Sequence, residues 1–243
     1  MYLVKLNAID STNSYLRKMS KKGGLEKWTV VSTEYQSEGR GQKGAVWQSE
    51  RGKNLICSIL IQLNGFKARD QFLLNCAASL GIYNALVNYN LPKLSIKWPN
   101  DIMSVSKKLG GLLIENTLMN DEINHTIIGI GLNVNQLSFS KDLPYAVSIK
   151  QLINKDLDRD VLLNHVVESI QLQFDLIFQN KHEELWQAYD QQLYRKQAAH
   201  MFEDQQGQKF MGIIKGVSQQ GLLIVENEEQ ILKTYNFKEV TYL

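Results

Sequence analysis

Two periodicities divide the chain. Apolar residues recur at helical spacing over 68–89 (Phe72, Cys76, Leu80, Tyr83, Val87) and over 160–179 (Val161, Leu162, Val166, Val167, Ile170, Phe174, Ile177, Phe178). Both segments predict long amphipathic helices, the first covering one face of a sheet. Asp158 or Asp160 stands near the cap of the second, and 182–194 predicts a third helix. Alternating or β-branched runs predict strands at 2–6, 28–33, 54–63, 94–97, 108–115 and 126–134. Asp10, Ser11 and Thr12 stand where a helix cap would, ahead of NSYLRKMS, and Pro92 and Pro99 punctuate the middle of the chain. After about Gln197 the texture changes to short β runs separated by turns, KFMGIIKGV, LLIVE and ILKTYNF. These predict a small β-barrel and a boundary near 196, so that 1–196 and 197–243 form two units.

The stretch from Glu34 to Leu63 joins two of the predicted strands through a loop with glycines at 39, 41 and 44 and cations at 40, 43, 51 and 53. Glycine lets backbone N–H groups approach an anion, and flanking cations supply charge for a polyphosphate. The spacing G-x-G-x-x-G also fits a dinucleotide site, but there the glycines open a helix, whereas here they run on through AVWQSERGKN, broken by Gly52, to a second strand. The protein-kinase pattern fits Gly39, Gly41, Gly44 and Val46, yet H-R-D and D-F-G are both missing. A phosphate-handling loop and a solvated glycine-rich hairpin remain as the two readings of this stretch alone.

Net charge is +2, too small for nucleic-acid binding on global electrostatics, so any cationic function is local to a site. Cys57 and Cys76 sit in apolar runs and read as small buried hydrophobes of a reduced chain. His125, His165, His182 and His200 are too scattered for a metal site. The start lacks the pattern of a leader peptide, and the apolar runs fall far short of a membrane span. A cytoplasmic protein that makes no membrane contact is expected.

Four segments, GRGQKGAVW, KWPNDI, KKLGGLLIE and GIGLNVN, follow one another in order, with DSTN at the start and FMGIIKGVSQQGLLIVE near the end. Together they closely resemble the biotin protein ligases, also called biotin-[acetyl-CoA-carboxylase] ligases, over essentially the whole chain. The resemblance implies an α+β fold: a mixed β-sheet flanked by helices, like a class II synthetase, with a C-terminal SH3-like barrel. It implies two half-reactions: biotin and ATP give biotinyl-5'-AMP and pyrophosphate, and a lysine of a biotin carboxyl carrier protein domain then takes the biotinyl group. Magnesium would accompany ATP, with no resident metal site, and a homodimer is compatible with the family. Some relatives carry an N-terminal DNA-binding helix-turn-helix. DSTN begins here at residue 10, so the expectation is an enzyme that does not bind DNA.

Residue by residue, the resemblance places Ser11, Thr12, Asn13 and Gln36 at biotin, the first two and Gln36 on its ureido ring, with the Gly111 backbone close by. Arg40, Gly41 and Gln42 match loop positions shared by biotin and the nucleotide. Gly39, Lys43 and Gly44 extend the nucleotide side of that loop. Lys108 matches the lysine bridging the biotin carboxylate and the α-phosphate. Trp47 matches the tryptophan under adenine, and Asn133 the asparagine at adenine or the phosphates. Arg40, Lys108 and Asp101 are the catalytic candidates, Asp101 organising the loop, a metal or the incoming lysine. Many relatives have a second loop arginine where this chain has Gln42, which implies a looser hold on the adenylate. A lipoate-protein ligase is the nearest rival, but its R-R-x-S-G-G-G loop is missing. A non-enzymatic biotin sensor is the other rival, and it would not need Lys108 and the loop cations together.

Overall fold

The computed structural model describes all 243 residues. In chain order the elements are β1 (Tyr2–Leu6), α1 (Thr12–Ser20), β2 (Thr29–Thr33), β3 (Leu55–Lys67), α2 (Phe72–Val87), β4 (Leu94–Lys97), β5 (Asp101–Ser104), β6 (Lys107–Met119), β7 (Glu122–Leu132), α3 (Ile149–Ile153), α4 (Arg159–Phe178), α5 (His182–Gln191), β8 (Ala199–Asp204), β9 (Lys209–Val217), β10 (Leu223–Asn227), β11 (Leu232–Tyr235) and β12 (Val240–Tyr242). Strands β1 to β7 form one sheet in the order β1-β2-β3-β7-β6-β5-β4. Only β1 and β2 run parallel, so the sheet is mixed.

Alternation along β3 assigns the two faces. Cys57, Ile59 and Ile61 enter the large core with α2, α4 and α5, while Leu60 packs with Leu16 of α1, Val31 and Ile127 on the other side. Both cysteines are buried, and burial alone pushes the Cys57 thiol up to about 12.

Helix α2 corrects the expectation of a one-sided helix. Its residues from Leu73 to Ile82 are buried without a break, because the sheet lies on one side and α4 and α5 on the other. A helix apolar all round belongs in the middle of a layered core. It passes close to α4 at Gly81, where an added Cβ would sit 2.7 Å from the Ile170 Cα. Helix α4 begins as read, with the Asp158 carboxylate accepting from the amides of Asp160 and Val161 at 2.8 and 3.2 Å.

The remaining strands make an antiparallel sheet in the order β11-β10-β9-β8-β12. No ladder joins β11 to β12, so the predicted barrel is open at that seam. The four-residue link between those strands is instead held by its own turn, in which the Glu239 carboxylate accepts from the Asn236 amide at 2.6 Å. This sheet shares the large core through Phe202, Ile214, Val217, Leu223, Val225 and Val240. The Trp98 indole N–H ties it down further, donating to the Gly221 carbonyl at 2.9 Å. Strands β5, β8 and β12 and helix α3 had no sequence expectation. No helix is long and apolar enough to cross a membrane.

Because the α4 backbone cannot move aside, Gly81→Val overpacks the α2–α4 contact. A loss of about 2 kcal/mol of unfolding free energy is expected, read by chemical denaturation. An unchanged midpoint and slope would mean that this contact is loose.

Candidate active site

The strand register sets out the site. Ile56, Gly131, Gly111, Asp101 and Lys97 lie side by side on β3, β7, β6, β5 and β4, and Ser58, Gly129 and Leu113 form the next row on three of the same strands. Both rows are on the face that carries α1. Three glycines at the centre carry no side chains of their own, which leaves a trough that side chains from other elements enter. Above it opens a cavity of about 520 Å³, a volume typical of small-molecule sites.

One end of the trough is a polar socket built from the start of α1. Ser11 caps that helix by backbone geometry without a side-chain bond, which leaves its hydroxyl free. The Gln36 carbonyl oxygen accepts from both the amide and the hydroxyl of Thr12, at 2.8 and 3.0 Å. The buried Ser58 hydroxyl lies 2.7 Å from the Thr12 hydroxyl and 2.5 Å from the Asn13 carbonyl oxygen. Asn13 donates in turn to Glu115 at 2.8 Å. Its side chain occupies the space over Gly129, where a Cβ would collide with it. The same Glu115 pairs with Arg17 and stands 3.5 Å from Arg40, whose guanidinium also donates to the Ser14 hydroxyl at 3.1 Å.

The glycine loop is a short hairpin and opens no helix. The Gly41 amide donates to the Ala45 carbonyl at 2.7 Å and the Trp47 amide to the Gly39 carbonyl at 2.9 Å. A 3-10 turn over Gln42–Gly44 carries Lys43 and Gly44 at positive φ. A Cβ at Gly39 would press on the Trp47 carbonyl, so closing the hairpin requires glycine there. The hairpin lays the Trp47 ring on Gly131, where a Cβ would come within 2.6 Å of Cζ2. The buried Trp47 Nε1 has no hydrogen-bond partner.

Beside Trp47, Lys108 folds back over Gly111. Its Nζ is 5.9 Å from the Trp47 ring centroid and 2.7 Å from Asp101 Oδ1. Its backbone is pinned by Tyr145 and Val147, which it bonds through N and O at 2.6 and 3.0 Å. Residues of the C-terminal sheet complete the wall: Phe237, Lys238, Val240, Thr241 and Tyr242. The link to the loop is reciprocal, the Lys43 ammonium donating to the Phe237 carbonyl at 2.8 Å and Lys238 to the Lys43 carbonyl at 3.3 Å.

Of the residues singled out in the sequence, Ser11, Thr12, Asn13, Gln36, Arg40, Gly41, Gln42, Trp47, Asp101, Lys108 and Gly111 line this cavity. Gly39, Lys43, Gly44 and Asn133 do not. Gly39 and Gly44 shape the hairpin, and Lys43 reaches the C-terminal sheet. Asn133 is buried, with its side-chain amide committed to the Val147 carbonyl at 3.1 Å, so it braces the segment that pins Lys108. Sequence reasoning missed Ser58, Glu115, Lys97 and the 237–242 wall. Lys97 and Glu115 lay inside segments already noted, KWPNDI and KKLGGLLIE, but only the strand register shows which face they take. No cluster of three His, Cys, Asp or Glu side chains forms a metal-binding group.

The sequence model of the Biotin/lipoate A/B protein ligase family matches residues 6–133, which hold the socket, the loop, Asp101 and Lys108. The bifunctional ligase/repressor BirA of Bacillus spizizenii is 26% identical over 249 aligned positions, covering 97% of this chain and 72% of that protein. The biotin–[acetyl-CoA-carboxylase] ligase of Mycobacterium tuberculosis is 25% identical over 219, covering 89% of this chain and 80% of that one. Among solved structures, biotin protein ligase from Aquifex aeolicus in complex with biotin and ATP superposes with a TM-score of 0.81 at 25% identity, covering 100% of this chain and 98% of that one. With more than half of its length matched by the family, including the socket, the glycine loop and the lysine–carboxylate pair, the chain belongs to the biotin/lipoate A/B protein ligases and is a ligase enzyme of the biotin protein ligase kind.

Proposed function

We propose that this enzyme activates biotin with ATP to biotinyl-5'-AMP and transfers the biotinyl group to a lysine of a biotin carboxyl carrier protein domain. One observation carries the reading: a single trough holds a neutral polar socket, with Asn13 over Gly129, and next to it on the same strand the Trp47 platform over Gly131, beside the Lys108–Asp101 pair. The socket of Ser11, Thr12, Asn13 and Gln36 suits a ureido ring with two N–H donors and a carbonyl. The Trp47 face suits a purine, and Lys108 stands where a carboxylate and an α-phosphate would meet. In the first step a biotin carboxylate oxygen bonds to the α-phosphorus, the bond to the β-phosphate oxygen breaks, and pyrophosphate leaves with the electron pair. Lys108 and Arg40 offset the repulsion between the two anions. Next the carrier amine attacks the acyl carbon, AMP leaves, and the amine gives up its proton, for which Asp101, the only carboxylate lining the cavity, is the candidate acceptor.

Asp101 is the only carboxylate lining the cavity and is already paired with Lys108. Such a donor set fits magnesium arriving on the ATP phosphates better than a resident ion, since this metal is usually held by one or two carboxylates plus phosphate oxygens. The loop, bonded to residues 237–238, would shelter the mixed anhydride from water, with 197–243 acting as a second unit that closes the cavity wall.

Pyrophosphate release from MgATP is expected with biotin, absent with lipoate, and lost in Lys108→Ala. Release with lipoate instead would assign the other branch of the family, and release with neither would remove adenylation altogether. Gly131→Ala should unseat Trp47 and raise the KM for ATP about tenfold, as loss of a base-stacking platform predicts, with biotin binding within about twofold of wild type. Titration calorimetry with biotin and steady-state kinetics in ATP separate the two effects; equal losses would mean that Trp47 supports both ligands. Replacing Gln42 by Arg should lengthen the retention of the adenylate, followed by release of labelled biotinyl-5'-AMP. Equal retention in the two proteins would leave Gln42 without that role.

A further inference from the structure

The trough continues past Asp101 to a cation that the two half-reactions above do not use. Lys97 ends β4, faces the cavity, and is the register partner of Asp101. It is partly buried, with no hydrogen bond and no ion pair; its Nζ rests 4.7 Å from the Tyr242 ring centroid. The one nearby carboxylate is taken, because Asp101 holds Lys108 at 2.7 Å. Arg195, the other neighbouring cation, is engaged with the Leu243 main-chain oxygen at 2.7 Å. This end of the cavity thus has two lysines and one carboxylate, an excess of one positive charge in a partly dehydrated wall. Desolvation, followed by the repulsion of Arg195 and Lys108, holds the Lys97 ammonium below the usual lysine range, with Asp101 opposing. A cation kept at such cost without a protein counter-ion is suited to an anionic ligand.

The register says which anion. Adjacent strands are roughly 4.8 Å apart, so Lys97 lies about 10 Å across the sheet from Gly111, over which Lys108 folds, and on the side away from Trp47. With a purine on Trp47 and the α-phosphate at Lys108, the rest of the phosphate chain extends along the row toward Lys97. We propose that Lys97 is the binding residue for the pyrophosphate leaving group: it takes up the charge that develops on the bridging and terminal oxygens as the bond from α-phosphorus to the β-phosphate oxygen breaks. The inference rests on the adenylation reading. In the reverse direction the same contact would hold pyrophosphate as it attacks the α-phosphorus of biotinyl-5'-AMP and displaces the carboxylate.

Biotin-dependent ATP–pyrophosphate exchange isolates this half-reaction. Lys97→Met keeps the aliphatic stem against Tyr242 and removes only the charge, and Lys97→Arg restores it. The expected result is a KM for pyrophosphate raised about tenfold or more in the Met variant, as for loss of a charge-assisted hydrogen bond, with the KM for biotin within about twofold and recovery in the Arg variant. Equal losses for pyrophosphate and biotin in both variants would reduce Lys97 to a brace for Tyr242 and overturn the proposal. So would normal exchange with slow single-turnover transfer from purified biotinyl-5'-AMP to the carrier, which would place Lys97 in the second step. Absence of exchange in the wild-type protein would be a different failure, since it would remove the adenylation reading itself.

Discussion

Everything at the site depends on backbone left bare at the centre of the sheet. Gly111, Gly129 and Gly131 sit on neighbouring strands facing one way, and side chains from elsewhere fill the space their missing Cβ atoms leave. Trp47 lies on Gly131, Asn13 over Gly129, and the Lys108 stem over Gly111, with its Cε 3.3 Å from where a Cβ would be. Glycine in a strand interior weakens pairing and gives up packing. The sheet tolerates this because its opposite face is continuous core: Cys57, Ile59, Ile128, Ile130 and Leu112 all belong to the cluster built around α2. One face supplies the stability and the other is free to hold ligands.

The polar groups in the trough follow a similar division. Ser58, Thr12, Asn13 and Gln36 satisfy one another at 2.5 to 3.0 Å, in a buried setting where an unpaired hydroxyl or amide would cost about 1–3 kcal/mol. Such a network is pre-organised and does not rearrange cheaply. The Arg40–Glu115 contact is of another kind, long at 3.5 Å with the arginine side chain 40% exposed. A pair of that sort is worth at most about 1 kcal/mol, so an arriving anion can take Arg40 from it with little loss. The socket is thus rigid, while the loop cation is held loosely.

The C-terminal sheet is part of this arrangement. Its link between β11 and β12 turns toward the glycine loop and does not close a barrel, and the two segments exchange lysine-to-carbonyl hydrogen bonds. The loop's position is therefore tied to residues almost two hundred positions away in sequence.

How much of this was legible beforehand depends on the range of the interaction. Local pattern determined strands β1 to β4, β6 and β7 and the two long helices from 72 and from 159, because periodicity and capping act over a few residues. The resemblance of the motif segments to a known family also pointed to most of the residues that line the cavity, from Ser11 and Gln36 to Lys108. Tertiary structure decided what no local rule reaches. The burial of α2 on every side follows from a second helical layer, and the inward placement of Lys97 and Glu115 follows from strand register. The Asn133 amide is taken by the Val147 carbonyl, and β11 and β12 end at opposite edges of the C-terminal sheet, both set by contacts between distant segments. Side-chain identity is written in the sequence, but which face a residue takes and what stands opposite it are set by pairing between distant strands.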